Sequence, residues 1–138
     1  MPKIAHGAQD MISGMTPVLQ SGEFVFVTTN DPALIAALAP DAVSTFREKE
    51  GLSLLVPVAS ATKSLQNADM PMRCITLNVF SSLEGVGLTA AVASALGDHN
   101  IPCNMIAAHH HDHVFVPSEM AERALDVLTT LQGNATAT

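Results

Sequence analysis

Residues 74–117, CITLNVFSSLEGVGLTAAVASALGDHNIPCNMIAAHHHDHVFVP, decide the fold. Ile75, Leu77 and Val79 alternate with Thr76 and Asn78, the period of a half-buried strand, expected over 73–80. A short segment with glycines at 85 and 87 leads to Leu88, Val92, Ala95 and Leu96. Those four fall at i, i+4, i+7 and i+8 and predict a helix over 88–99. Asn100 closes that helix and Pro102 follows it. Strands are expected over 101–108 and 112–116. Ala121, Ala124, Leu125, Leu128 and Leu131 then form a second helical stripe, expected over 118–131 with Pro117-Ser118 at its start. The order is β-α-β-β-α.

Upstream, the same order recurs with weaker signals. Residues 23–29 alternate and are rich in Phe, Val and Thr, as a strand requires. Asn30-Asp31-Pro32 offers an N-cap and a first-turn proline for a short helix over 33–38, which Pro40 stops. Strands are expected over 42–46 and 52–58, joined by the charged hairpin Arg47-Glu48-Lys49-Glu50-Gly51. A second short helix is expected over 59–66, and 67–71 (NADMP) reads as a linker. Before all this, a short helix near 9–13 and an extended lead-in over 15–19 are expected. The chain therefore divides into two units, 1–68 and 69–138. Each is an α+β sandwich of one sheet and its helices. A βαββαβ unit needs a fourth strand, and the tail QGNATAT (132–138) makes a poor one. Either strands are exchanged between the halves, or a segment such as 15–19 completes a sheet.

Bulk composition narrows the function. In 138 residues, 48% are hydrophobic and only 14% charged, so the chain is no disordered tail and its surface exposes apolar patches. Six Lys+Arg stand against 13 Asp+Glu with no basic cluster, which argues against nucleic acid and anionic membranes. Trp and Tyr are absent, removing the usual base-stacking residues. No apolar run approaches the ~18 residues of a membrane span. The N-terminus MPKIAH has no apolar core of a secretory signal, so a cytoplasmic location is expected. Cys74 and Cys103 sit in apolar patterns and are expected as buried, reduced thiols.

The local wording resembles the ACT-domain family of small-molecule-binding regulatory modules. FREKEGLSL (46–54) carries the likeness in the first half, and SSLEGVGLTAA (81–91), IPCN (101–104) and HDHVFVP (111–117) carry it in the second. The resemblance spans roughly residues 15–131, with a degenerate first unit and a better-formed second. It implies ferredoxin-like (βαββαβ) ACT-type sandwiches in tandem, without catalysis, that bind an amino acid or similar effector. One departure is that His109 and His110 stand where aromatic residues are expected before His-Asp-His.

The candidate site starts from the loop. Glycines at 85 and 87 let backbone N–H groups approach a ligand, and the following helix N-terminus favours a carboxylate. Glu84 is suited to an α-amino group. The resemblance adds the strand after the helix, so the expected ligand-binding set is Glu84, Gly85, Val86, Gly87, Leu88 and Thr89 with Asn104, Met105 and Ile106. The same loop also reads as a plain tight turn with Ser81 and Glu84 as a capping box. Asn104 equally suits a solvent or inter-subunit face. Four imidazoles in five residues invite a metal reading, with His109, His111 and His113 aligned if the strand is regular. A hairpin bend there breaks that alignment and leaves an exposed polar strand end. A Cys103–His nucleophile pair has no supporting signature. The expectation is a non-enzymatic, cytoplasmic, amino-acid-binding regulatory module without cofactor; the alternatives are a metal-binding protein using the cluster from His109 to His113, or a structural interaction domain with a vestigial pocket. Low surface charge and the shortage of strands point to a homodimer.

Overall fold

The computed structural model describes residues 12–78 and 87–136. It resolves two units: Gly22–Met72, and the segments on either side of it, ending at Ser21 and resuming at Arg73. After a helical turn at 12–14, the chain makes the three-residue strand β1 (Pro17–Leu19).

The inner unit starts from one alternation. Val25 and Val27 of β2 (Phe24–Thr29) are buried while Phe26 between them is exposed. The helix α1 (Pro32–Leu38) comes next, with Asp31 as N-cap: Ala33 N donates to Asp31 Oδ1 at 3.0 Å, and Pro32 supplies a φ already suited to a first turn. A 3₁₀ turn (Ala39–Asp41) then leads to β3 (Ser44–Arg47), β4 (Leu52–Pro57) and α2 (Val58–Lys63). β4 lies between the other two strands and pairs antiparallel with both, from Phe24↔Pro57 to Thr29↔Leu52 and from Ser44↔Leu55 to Arg47↔Leu52. Leu38 and Ala61 from the helices close over Val25, Val27, Leu54 and Val56. The β3–β4 turn needs a glycine at 51. A Cβ there would lie 3.2 Å from Thr29 O and from Asn30 Oδ1. Beside β2, Met72 makes one bridge to Phe24.

The outer unit contains β5 (Met72–Leu77), α3 (Leu88–Asp98), β6 (Asn104–Ala107), β7 (Asp112–Pro117), a 3₁₀ turn (Ser118–Met120) and α4 (Ala121–Thr136). Its strands run in the order β5-β7-β6, and β1 joins β5 antiparallel through Pro17↔Leu77, Val18↔Thr76 and Leu19↔Ile75. The lead-in segment thus supplies the fourth strand that the C-terminal tail does not. Ile75, Leu77, Val114 and Val116 face a helical layer built from Leu88, Val92 and Leu96 of α3 and Ala121, Ala124 and Leu128 of α4. Met15, fully buried, belongs to the same core. This is the expected α+β, ferredoxin-like arrangement. Among the described residues no helix is long and apolar enough to cross a membrane.

Several boundaries move for identifiable reasons. The strand expected over 101–108 begins only at Asn104. Ile101 N is bonded to Leu96 O at 3.0 Å as part of the α3 exit, where Asn100 takes φ 59°, and Pro102 has no N–H for a ladder. Cys103 therefore precedes the strand and is half-buried; it is not strand-buried as expected. The strand expected over 42–46 starts at Ser44, since Ala42 N is tied back to Ala39 O. The helix expected over 59–66 ends at Lys63, with Leu65 at φ 61° and Gln66 N returning to Ala61 O at 2.8 Å. The last helix opens with a 3₁₀ turn and continues past 131 to Thr136. Of the short helix expected near 9–13, residues 12 and 13 lie in the helical turn and 9–11 lie outside the described residues.

Met15 and Gln132 fasten this arrangement. Gln132 Nε2 donates to Ser13 O at 2.9 Å and to Thr16 Oγ1 at 3.2 Å. Met15→Ala is expected to cost about 2–5 kcal/mol, as for other fully buried large-to-small changes, and Gln132→Ala about 1 kcal/mol. Urea unfolding followed by far-UV circular dichroism measures both.

Candidate ligand-binding site

The start of α3 holds three of the expected ligand-binding residues, Gly87, Leu88 and Thr89. Gly87, its N-cap, has φ 105°, a left-handed conformation that a side chain would strain. Leu88 is buried in the core and fixes the helix entry, while Thr89 is exposed. The first intrahelical bond runs from Ala91 N to Gly87 O at 2.9 Å. The N–H groups ahead of Ala91 have no intrahelical acceptor, and no side chain caps them among the described residues. No acidic residue lies in the first turn, so the positive end of the helix dipole keeps its field. The two-residue junction from β2 into α1 is different: there the Asp31 carboxylate already occupies the helix N-terminus.

Of the expected ligand set, Gly87, Leu88 and Thr89 lie at this helix start, and Asn104, Met105 and Ile106 lie on β6. Glu84, Gly85 and Val86, and the capping box from Ser81 to Glu84, lie outside the described residues. The three β6 residues do not share a direction. Met105 packs into the helix-covered core. Asn104 and Ile106 alternate with it and face the other side of the sheet, opposite Phe115 and His113.

That other side holds a polar network. Gln20 Nε2 donates to Thr76 Oγ1 at 3.2 Å, and Thr76 Oγ1 lies 3.0 Å from His113 Nδ1. Gln20 N also donates to Cys74 O at 2.8 Å, and Arg73 Nη2 to Gln20 O at 2.8 Å. Thr76 is buried, so these partners satisfy a hydroxyl that would otherwise be costly to desolvate. Thr76 sits in the β5 alternation as its polar member, but its partners are 56 and 37 residues away, out of reach of a local pattern.

The histidine run divides. Ala108 N bonds to His111 O at 3.0 Å and closes a bend that contains His109 and His110, whose rings meet edge to face at 4.8 Å. Of His109, His111 and His113, only His113 lies within β7, and its Nδ1 is engaged by Thr76. Among the described residues, no three His, Cys, Asp or Glu side chains come together in a set that could hold a metal. Both cysteines are free. Burial pushes both thiols up, that of Cys74 partly offset by its contact with Thr76. Raised thiols stay protonated at neutral pH and are poor nucleophiles.

Burial holds His113 below its ordinary value of 6.5, and the neighbouring His111 adds to this while Asp112 opposes it. Burial likewise pushes Asp112 up, with His113 and His111 opposing. As pH falls through 6.5, the unfolded chain takes up the proton at this histidine before the folded one does. His113 thus contributes stability that is present above that value and lost below it. The melting temperature is expected to fall from pH 7 to pH 5, and more steeply in the wild type than in His113→Gln. Parallel profiles for the two proteins would contradict the assignment.

Comparison with known proteins identifies the family. Two family models, each described as the ACT domain, match residues 8–73 and 69–130. No curated protein matches the chain. Among solved structures, a protein of unknown function from Vibrio cholerae, VC0802, described as a possible transport protein, is 41% identical. It aligns over 86% of this chain and 89% of its own, with a TM-score of 0.77. Protein Atu0741 from Agrobacterium tumefaciens is 19% identical over 84% of this chain and 87% of its own, at a TM-score of 0.61. The regulatory subunit of aspartate kinase from Thermus thermophilus is 14% identical over 83% and 95% respectively, at 0.53. With one ACT match following the other along nearly the whole sequence, the chain belongs to the ACT-domain family, as a tandem of two such domains.

Proposed function

We propose that this chain is a non-catalytic, cytoplasmic regulatory module that binds an amino acid at the start of α3 and acts as a homodimer of chains with ACT-like units over 1–68 and 69–138. The observation that carries this reading is the first turn of α3, which no side chain caps among the described residues, behind a left-handed Gly87. Such a helix end presents convergent N–H donors and a favourable dipole to a carboxylate. In this reading Gly85, Val86, Gly87, Leu88 and Thr89 supply backbone contacts to the carboxylate. Glu84 holds the α-ammonium group, and Asn104, Met105 and Ile106 set side-chain preference. ACT membership and the likeness to an aspartate kinase regulatory subunit support a regulatory role. Binding that favours one arrangement of the protein over another shifts its population toward that arrangement, which is how such a module regulates.

The test is thermal unfolding of metal-stripped protein against each common amino acid at millimolar concentration. Ligand at about 100 times its dissociation constant stabilises by ~2.7 kcal/mol. One amino acid is expected to raise the melting temperature selectively, and Glu84→Ala and Asn104→Ala each to weaken its affinity about tenfold or more. Unchanged affinity in both variants would remove the proposed site. Elemental analysis of protein purified without a metal column is expected to find no stoichiometric metal. Retained metal that is lost on changing His109, His111 or His113 would instead favour a metal-binding protein built on that cluster.

A further inference from the structure

The bonds around Thr76 determine which nitrogen of His113 carries a proton. An amide N–H can only donate, so Thr76 Oγ1 accepts from Gln20 Nε2 at 3.2 Å. The single hydroxyl hydrogen of Thr76 then has two neighbours to choose from, His113 Nδ1 at 3.0 Å and Cys74 Sγ at 3.8 Å. The nitrogen lone pair is the better acceptor, since sulfur accepts weakly and lies farther away. Nδ1 therefore receives the bond, and the proton of the neutral imidazole sits on Nε2. Among the described residues Nε2 has no hydrogen-bond partner, so His113 offers a donor of fixed direction.

That donor is placed beside residues of the candidate site. Val114 and Val116 point into the helix-covered core, so His113 turns to the other side of the sheet, as do Asn104 and Ile106 of β6. Ile106 is directly across from His113, and Asn104 is its diagonal neighbour, at a spacing of about 7–8 Å. Thr76 is the next-to-last residue of β5, so His113 stands at the sheet end from which the chain leaves toward Gly87. A ligand group meeting Nε2–H must present an oxygen lone pair. A second carboxylate is disfavoured there, because Asp112 is adjacent on β7 and the chain carries a formal net charge of −7. A neutral carboxamide meets no such repulsion. Its oxygen accepts from Nε2, and its NH2 group can donate to the side-chain oxygen of Asn104.

We propose that His113 is a specificity residue of the ligand site, its Nε2–H donating to the carboxamide oxygen of a bound glutamine or asparagine, with Asn104 as the second polar contact. This rests on the amino-acid-binding reading above and names the class of side chain. Nitrogen NMR of the ligand-free full chain, with isotope-labelled histidine at neutral pH, is expected to show His113 protonated at Nε2. Protonation at Nδ1 instead would overturn the proposal. Calorimetric titration then compares glutamine and asparagine with methionine and leucine, which are of similar size and lack the carboxamide. One of the amides is expected to bind about tenfold tighter than either apolar match. His113→Phe keeps a planar ring without a donor and is expected to erase that preference; His113→Gln restores an N–H and is expected to keep most of it. A preference that survives His113→Phe, or a different amino acid that binds in place of the amides, would overturn the carboxamide assignment and spare the amino-acid-binding reading. Binding of no amino acid would overturn both.

Discussion

The pairing of β1 with β5 is the constraint on which the outer unit depends. Without it, β5 would be an edge strand with its buried threonine open on one side. With it, a three-residue strand from the start of the described chain completes a four-strand sheet. Gln20, just past β1, adds side-chain and main-chain bonds to β5, and Met15, just before it, fills the core beneath. The partners of these bonds lie more than fifty residues apart, so the loop closure that unites them is large and its entropy must be met by burial. The inner unit is encoded wholly within that loop, with a separate core of its own.

The two units share an element order and differ in how their first helices begin. In the inner unit a carboxylate from the chain itself caps α1, and proline takes the position where a free N–H would stand. In the outer unit a glycine opens α3 and, among the described residues, no side chain caps it. A short, internally capped helix has little left to offer an anion. A longer helix of eleven residues, with no described side chain on its first turn, retains both donors and dipole. This asymmetry is the physical ground of the proposal that an effector binds the outer unit.

Most of the architecture is legible in the residues. The alternation through Ile75 and Leu77 and the stripe Leu88, Val92, Leu96 lead directly to the buried faces of β5 and α3. Asp31-Pro32 announces a helix start that the structure realises. Errors arise where apolar residues serve a cap instead of a ladder. Ile101 reads as strand because it is apolar and buried, yet its N–H belongs to the α3 exit. The helix expected to end at 131 continues, because Gln132 anchors its last turn to the lead-in segment. The choice between exchanged strands and an N-terminal strand has no local signal, since three residues beginning with proline carry too little pattern. For the candidate site, Gly87 and the helix it opens are readable. The opposed directions of Met105 and its neighbours, and the Gln20–Thr76–His113 network, emerge only from register.

The most direct measurement is a backbone amide NMR titration of the full chain with the common amino acids. The account predicts that one of them, at saturating concentration, moves the amide signals of Gly87, Leu88 and Thr89 and leaves that of Ala33, whose N–H is held by Asp31, in place. Shifts confined to Ala33 and its neighbours, or to the turn at His109 and His110, would contradict it. So would a spectrum that no amino acid changes.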